Sequence, residues 1–339
     1  MRILYVIPGD VVDTAAGGMV FAHNEIAMIA REGIETKILY TGTGTNIRRF
    51  PDTAYHIRQS IEEYNPDLVH SQFGSLTALA CACSVSIPLI ITYRGSDLNP
   101  SPYDGRFRSA AQTLCSQLAA IRAKHIICVS SQLSSRLWWR RSIAKVIPGG
   151  VDLSVFQYSS KEEARTKLGW PHDEKIVLFN AGRSPAVKRL DLAKAAFEVI
   201  RDQIGQVRFV VMRGEVHHDE IPLYLSGSDC LLFTSDYEGS PYIIKEALAC
   251  NLPVVGVAAG DVPERLEHVS PSRLVGRDAR EIGMAAVDII KAGQRSNGHE
   301  TLQALSIENT VKRILSIYKQ AINSHRTLSK SEANREAFK

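Results

Sequence analysis

Short runs of branched apolar residues alternate along this chain with helix-length segments whose apolar residues fall on one face. In the first half the runs are Ile3–Ile7, Thr36–Tyr40, Leu68–His70, Leu89–Thr92, Ile126–Val129 and Lys145–Ile147. After a polar stretch the pattern restarts with Ile176–Phe179, Val207–Met212, Cys230–Phe233, Val254–Val257 and a weaker Arg273–Val275. Apolar runs without strict alternation suit strands covered on both faces, and strands separated by helices suit parallel sheets. The pattern predicts an α/β fold of two Rossmann-like domains, and Pro148-Gly149-Gly150 with the polar residues beyond it marks the linker. The expected boundaries are 1–155 for the N-terminal, acceptor-side domain, 156–322 for the C-terminal domain and 323–339 for a frayed, charged tail. Helices are expected near 279–292 and 302–321.

A length of 339 residues leaves room for two cores at roughly 100–200 residues per domain, and 45% apolar content is that of an ordinary globular protein. The six cysteines sit mostly in apolar runs without metal-knuckle or disulfide spacing, so they read as reduced core residues. No stretch approaches the roughly 20 apolar residues that span a bilayer, and the N-terminus enters a strand without a signal-peptide core. A cytoplasmic address is expected, with any membrane contact peripheral. A net charge of +4 is too mild for a dedicated nucleic-acid binder. Its cations are nevertheless uneven, with Arg106, Arg108, Arg122, Lys124, Arg136, Arg140 and Arg141 falling late in the first half. Trp138-Trp139 beside Arg140-Arg141 suits the headgroup region of an anionic membrane surface, or the tryptophans pack under a neighbouring helix.

Residues 237–256 carry the clearest chemistry. The run Cys230–Thr234 delivers the chain into a turn holding Glu238, Gly239, Ser240 and Pro241, and a helix to about Ala249 carries Glu246. Gly239 removes a side chain from the approach path, Pro241 suits a first helical turn, and the helix N-terminus favours anions. By spacing alone, two acids so placed are most simply a solvated face. A second strand end supplies Arg183 and Lys188 in Asn180-Ala-Gly-Arg-Ser-Pro-Ala-Val-Lys188, two cations on one loop.

Together these segments, with Asn251-Leu-Pro-Val-Val-Gly256, resemble the nucleotide-sugar site of retaining glycosyltransferases of family 4, which have the GT-B architecture of two Rossmann-like domains facing across a cleft. The resemblance implies transfer of a sugar from a nucleoside-diphosphate donor to a saccharide or lipid-linked acceptor, in surface polysaccharide or glycolipid biosynthesis. It implies that Arg183 and Lys188 hold the diphosphate, that Glu238 lies near the donor sugar, and that Glu246 accepts from the ribose hydroxyls. Gly17-Gly18 resembles the family's glycine loop near the donor phosphates, or is a simple turn.

Arg94 stands where many relatives carry a histidine, and with Asp97 and His70 it is a candidate for the cleft; Asp97 equally suits a helix N-terminus, and His70 a hydrogen-bonded structural role. The segment between Val211 and Ser226 is shorter than is usual in the family, which bears on the nucleotide pocket. Metal-ligand spacing is not apparent, and His217-His218 reads as solvated, so no cofactor and no metal are expected. The rival readings are a catalytically inactive nucleotide-sugar-binding scaffold, motivated by Arg94 and the short segment, and a GT-B sugar-nucleotide epimerase.

Overall fold

The computed structural model describes residues 1–9, 19–42, 47–100, 103, 105–182 and 184–336, with side chains described as far as 327. The chain divides into two compact units, one formed by Met1–Gly149 with the chain from Glu308 onward, the other by Gly150–Ile307. The division falls inside the Pro-Gly-Gly turn rather than at 155.

In the first unit, β1 (Arg2–Ile7), β2 (Glu35–Tyr40), β3 (Leu68–Ser71), β4 (Leu89–Tyr93), β5 (His125–Cys128) and β6 (Ala144–Val146) form a parallel sheet. Its order is β2-β1-β3-β4-β5-β6 among the described residues. The intervening helices are α1 (Val20–Arg31), α2 (Phe50–Tyr64), α3 (Ser75–Ser84), α4 (Arg106–Arg122) and α5 (Ser131–Ser135). Ile3 to Ile7 are all fully buried, as a strand covered on both faces must be.

The second unit repeats the plan. α6 (Lys161–Leu168) precedes β7 (Lys175–Asn180), which is followed by α7 (Leu190–Ile204), β8 (Val207–Met212), α8 (Ile221–Gly227), β9 (Cys230–Phe233), α9 (Tyr242–Ala249), β10 (Val254–Val257), α10 (Val262–Leu266), β11 (Arg273–Val275) and α11 (Ala279–Ala292). The strands lie parallel in the order β11-β10-β9-β7-β8. α11 shows why such segments fold locally. The Asp278 carboxylate accepts from the N–H groups of Arg280 and Glu281, Ile282, Ala286 and Ile290 face the core, and Gly293 closes the helix at φ 65°.

The last helix, α12 (Ile307–Glu336), follows the second unit in sequence and belongs from Glu308 to the first. Val311, Ile314, Leu315, Tyr318 and Ile322 are buried at helical spacing. The Tyr318 hydroxyl lies 3.0 Å from that of Tyr5, and Arg313 donates to the Val146 carbonyl at 2.6 Å. A tyrosine that buries its ring needs a partner for its hydroxyl, and β1 supplies it.

The six cysteines are free thiols; Cys81, Cys128, Cys230 and Cys250 are buried, whereas Cys83 is exposed and Cys115 half-buried, so the expectation of core residues fails at Cys83. Among the described residues no helix is long and apolar enough to cross a membrane.

Candidate functional site

β9 lies between β10 and β7, so the loops leaving these three parallel strands emerge side by side at one sheet edge. Hydrogen bonds stitch them together. The Thr234 hydroxyl donates toward the carbonyls of Lys188 and Arg189, at 2.7 and 3.0 Å, and the Asp236 N–H donates to the Val187 carbonyl at 2.9 Å. The Arg277 guanidinium donates to the carbonyls of Ser235, Asp236 and Ala258, at 2.7, 3.0 and 3.0 Å.

On this frame the Lys188 ammonium lies 2.5 Å from a Glu238 carboxylate oxygen, with the two side chains 24% and 17% exposed. The cation expected at the diphosphate and the acid expected at the sugar are thus brought together as an ion pair. Arg183, from the same loop as Lys188, and the Gly17-Gly18 pair lie outside the described residues.

Gly239 is touched by a second glycine. Gly260 has φ +60°, and a Cβ there would sit 2.5 Å from the Gly239 carbonyl oxygen, so the loops after β9 and β10 meet only because position 260 has no side chain. Ser240, expected at the donor, has its hydroxyl inside a buried chain: it accepts from the Lys245 ammonium at 3.0 Å and donates to Asp261 at 2.8 Å. Lys245 is fully buried, with its ammonium 4.2 Å from the centre of the Tyr242 ring. Burial pushes the Asp261 carboxyl up, and the Lys245 charge opposes that shift. The Asp261 segment therefore holds the turn that carries Glu238. Pro241 sits at the N-cap of α9, one position before the helix, with φ −66° and ψ 123° and no side-chain cap.

Glu246, on α9, is 7% exposed, and burial raises its carboxyl to about 7 against the opposing charge of Lys245. His218 Nε2 lies 4.0 Å from its Oε1, and the imidazole stands edge-on to the buried Phe156 ring at 5.2 Å. His218 was read as solvated; it is instead partly covered, and burial depresses its pKa. Nothing in its local sequence signals this, because its neighbours Phe156 and Glu246 come from distant segments.

In the first unit the three remaining candidates are structural groups. His70 is fully buried, its Nδ1 2.5 Å from the Tyr318 hydroxyl and its Nε2 2.7 Å from that of Thr92. Burial, with the nearby Arg94 charge, pushes it down to about 3, so it is neutral. Asp97 is fully buried and accepts the backbone N–H groups of Arg94 (2.9 Å), Gly95 (2.8 Å) and Gly74 (3.1 Å), the last being the N-cap residue of α3. Neither side chain has the exposed surface a cleft residue needs. Arg94 is held against Glu25 at 3.4 Å, bonds the Gln72 carbonyl at 3.2 Å and its side-chain amide, and lies 4.7 Å from the centre of the Phe21 ring. Glu25, buried on α1, is the acid that the sequence did not single out.

Residues 10–155 match the family described as Glycosyltransferase Family 4, and residues 172–292 match Glycosyl transferases group 1. The chain belongs to the group 1, family 4 glycosyltransferases. Within this family it is 28% identical over 218 residues to TuaC of Bacillus subtilis, assigned as a teichuronic acid biosynthesis glycosyltransferase, a match covering 58% of this chain and 54% of that one. The chain thus spans about half the length of that curated relative. Among solved structures, a sucrose-phosphate synthase from Thermosynechococcus elongatus superposes with a TM-score of 0.78 at 19% identity, covering 96% of this chain and 100% of that one. Anabaena HepE, solved in complex with UDP and glucose, gives 0.68 at 17% identity, covering 94% and 99%. The glycosyltransferase fold is GT-B, two α/β units each built on a parallel sheet.

Proposed function

We propose that the protein transfers a sugar from a nucleoside-diphosphate donor to an acceptor hydroxyl with retention at the anomeric carbon. The observation that carries this reading is the Lys188–Glu238 pair at adjoining strand ends, one turn ahead of the helix that holds Glu246. As the glycosidic bond breaks, the departing diphosphate gains negative charge, and a fixed ammonium stabilises that state more than the ground state. Lys188, with Arg183 from the same loop, serves as that cation, which makes the reaction independent of a metal ion. Glu238 orients the donor sugar once Lys188 turns to phosphate, the Gly239-Ser240-Pro241 turn admits the donor, and ionised Glu246 accepts from the ribose hydroxyls. The leaving phosphate takes the acceptor proton on the face it departs from, so no protein nucleophile is required.

The acceptor is a saccharide or a lipid-linked saccharide, the product a surface polysaccharide or glycolipid, and the place of work the cytoplasmic face of a membrane. The family membership and the relation to TuaC support a role in polysaccharide or glycolipid biosynthesis. A thermal-shift screen against nucleoside diphosphates and their sugars tests the donor site, since a ligand of the folded state raises apparent stability. Stabilisation by one base with release of its diphosphate in the presence of acceptor is the expected result, insensitive to chelator. The absence of any shift across the panel sinks the donor site, and an inverted anomer in the product sinks retention.

A further inference from the structure

α4 buries Ser109, Ser116, Gln117, Ala119 and Ala120, half-buries Gln112, Thr113 and Cys115, and leaves its other residues exposed. On the open side Phe107, Ala111, Leu114, Leu118 and Ile121 follow one another at steps of four and three residues, which places them on a single stripe along the helix. Phe107 is 92% exposed, and Leu114, Leu118 and Ile121 are 46%, 41% and 51% exposed. The segment after α5 is bonded to the same helix and adds a second exposed apolar group. The Trp138 N–H donates to the Gln117 side chain at 3.0 Å and the Trp139 indole to the Gln117 carbonyl at 2.7 Å, leaving the Trp138 ring 58% exposed. Single exposed apolar residues are common on protein surfaces, but a continuous exposed stripe marks a site of interaction.

Along α4 and the segments that follow it, the charge is of one sign. From Gly105 to Val151 the sequence contains eight Lys and Arg residues and no Asp or Glu. Among the described residues none of these cations forms an ion pair with a carboxylate. Arg122, Arg140 and Arg141 donate to backbone carbonyls of Val85, Ala123 and Leu137, which holds them in place without cancelling their charge.

We propose that this face docks on an anionic lipid bilayer. The Phe107–Ile121 stripe and Trp138 enter the boundary between headgroups and acyl chains, and Arg106, Arg108, Arg122 and Arg140 meet the lipid phosphates. Charge complementarity selects this occupant, because pairing the same face with a second copy of the chain would set two such clusters of cations against each other. The proposal deepens the membrane-surface part of the function given above and rests on it. Vesicle binding requires neither donor nor turnover, so the two readings fail separately.

Flotation of the full chain with vesicles of phosphatidylcholine alone, and of phosphatidylcholine mixed with phosphatidylglycerol, tests it. The chain is expected to float with the anionic vesicles only, and added salt is expected to reduce the bound fraction. Leu114→Asp with Leu118→Asp is expected to abolish flotation, and Arg106→Gln with Arg108→Gln to lower it by about an order of magnitude. Both pairs are at exposed positions, and unchanged thermal melting and donor-induced stabilisation confirm that the fold is intact. Failure of the parent chain to float with anionic vesicles overturns the proposal, as does equal flotation of the Leu114→Asp, Leu118→Asp variant. A self-associating chain that this variant renders monomeric, without vesicle binding, reassigns the face to a second copy.

Discussion

Lys188 and Glu238 are each other's partner, with 2.5 Å between ammonium and carboxylate. In the proposed reaction the ammonium must exchange that carboxylate for phosphate. Glu238→Gln keeps the size of the side chain and removes its charge, so Lys188 meets an incoming diphosphate without competition. Nucleoside-diphosphate affinity should be kept or increased in this variant, while sugar transfer falls by about an order of magnitude or more. Lys188→Met should weaken diphosphate binding about tenfold and lower transfer as well. Calorimetry with the diphosphate and turnover with the donor read the two effects, and equal weakening of diphosphate binding in both variants rules out the exchange.

Glu246 makes a pH prediction. Its carboxyl is raised from 4.5 to about 7 by burial, so between these values the folded chain holds a proton that the unfolded chain has released. A raised carboxyl contributes its full stability at acid pH and loses it as pH climbs through this window. Glu246→Gln removes the loss, so its melting temperature relative to the parent should rise between about pH 5 and about pH 8. Nucleoside-diphosphate binding by the parent should tighten over the same interval and stay flat in the variant. A melting difference that does not change with pH counts against the raised carboxyl.

Gly260→Ala tests the contact between the loops after β9 and β10. The new methyl would lie 2.5 Å from the Gly239 carbonyl oxygen, at a φ of +60° that L residues rarely adopt. Destabilisation on the order of 2 kcal/mol is expected, with weaker donor binding because the turn that bears Glu238 is displaced. Denaturant unfolding and a donor titration measure the two effects; a variant as stable as the parent shows that the loops do not press on each other.

His70 makes a prediction of opposite sign. Its pKa is pushed from 6.5 to about 3, so its contribution to stability is complete above the unfolded value and is lost as pH falls through the interval. His70→Gln should therefore be less stable than the parent at neutral pH, with the gap narrowing toward about pH 4. Tyr318→Phe removes the hydroxyl shared by Tyr5 and His70 and should cost about 1–3 kcal/mol without altering donor affinity in proportion. Melting curves across this pH range decide both, and a gap that widens on acidification contradicts the neutral histidine.

The inner strands of both sheets were legible in the sequence because they are buried on both faces and read as unbroken apolar runs, whereas the largely exposed edge strand Arg273–Val275 gave only a weak one. Lys188 and Glu238 were legible because each follows such a run, and the parallel order β9-β7 then places their loops side by side. What could not be read is whatever depends on a partner far away in the chain. Arg94 was a candidate for the cleft by its place after β4, yet Glu25, 69 residues earlier, holds its guanidinium. Lys245 carries no signal in its own segment, because it is tied through Ser240 to Asp261 in a different loop. His218 looked solvated because the residues that cover it, Phe156 and Glu246, lie in other elements.

The first unit is not continuous in sequence, because α12 supplies the hydroxyl that Tyr5 and His70 require and the guanidinium that binds the β6 carbonyl. During synthesis β1 leaves the ribosome hundreds of residues before Tyr318, whereas every residue of the second unit has been made by Ile307. Chains stalled just before Glu308 should accordingly show a protease-resistant second unit and a protease-sensitive first one. The half of the protein that is translated first is the half that completes its fold last.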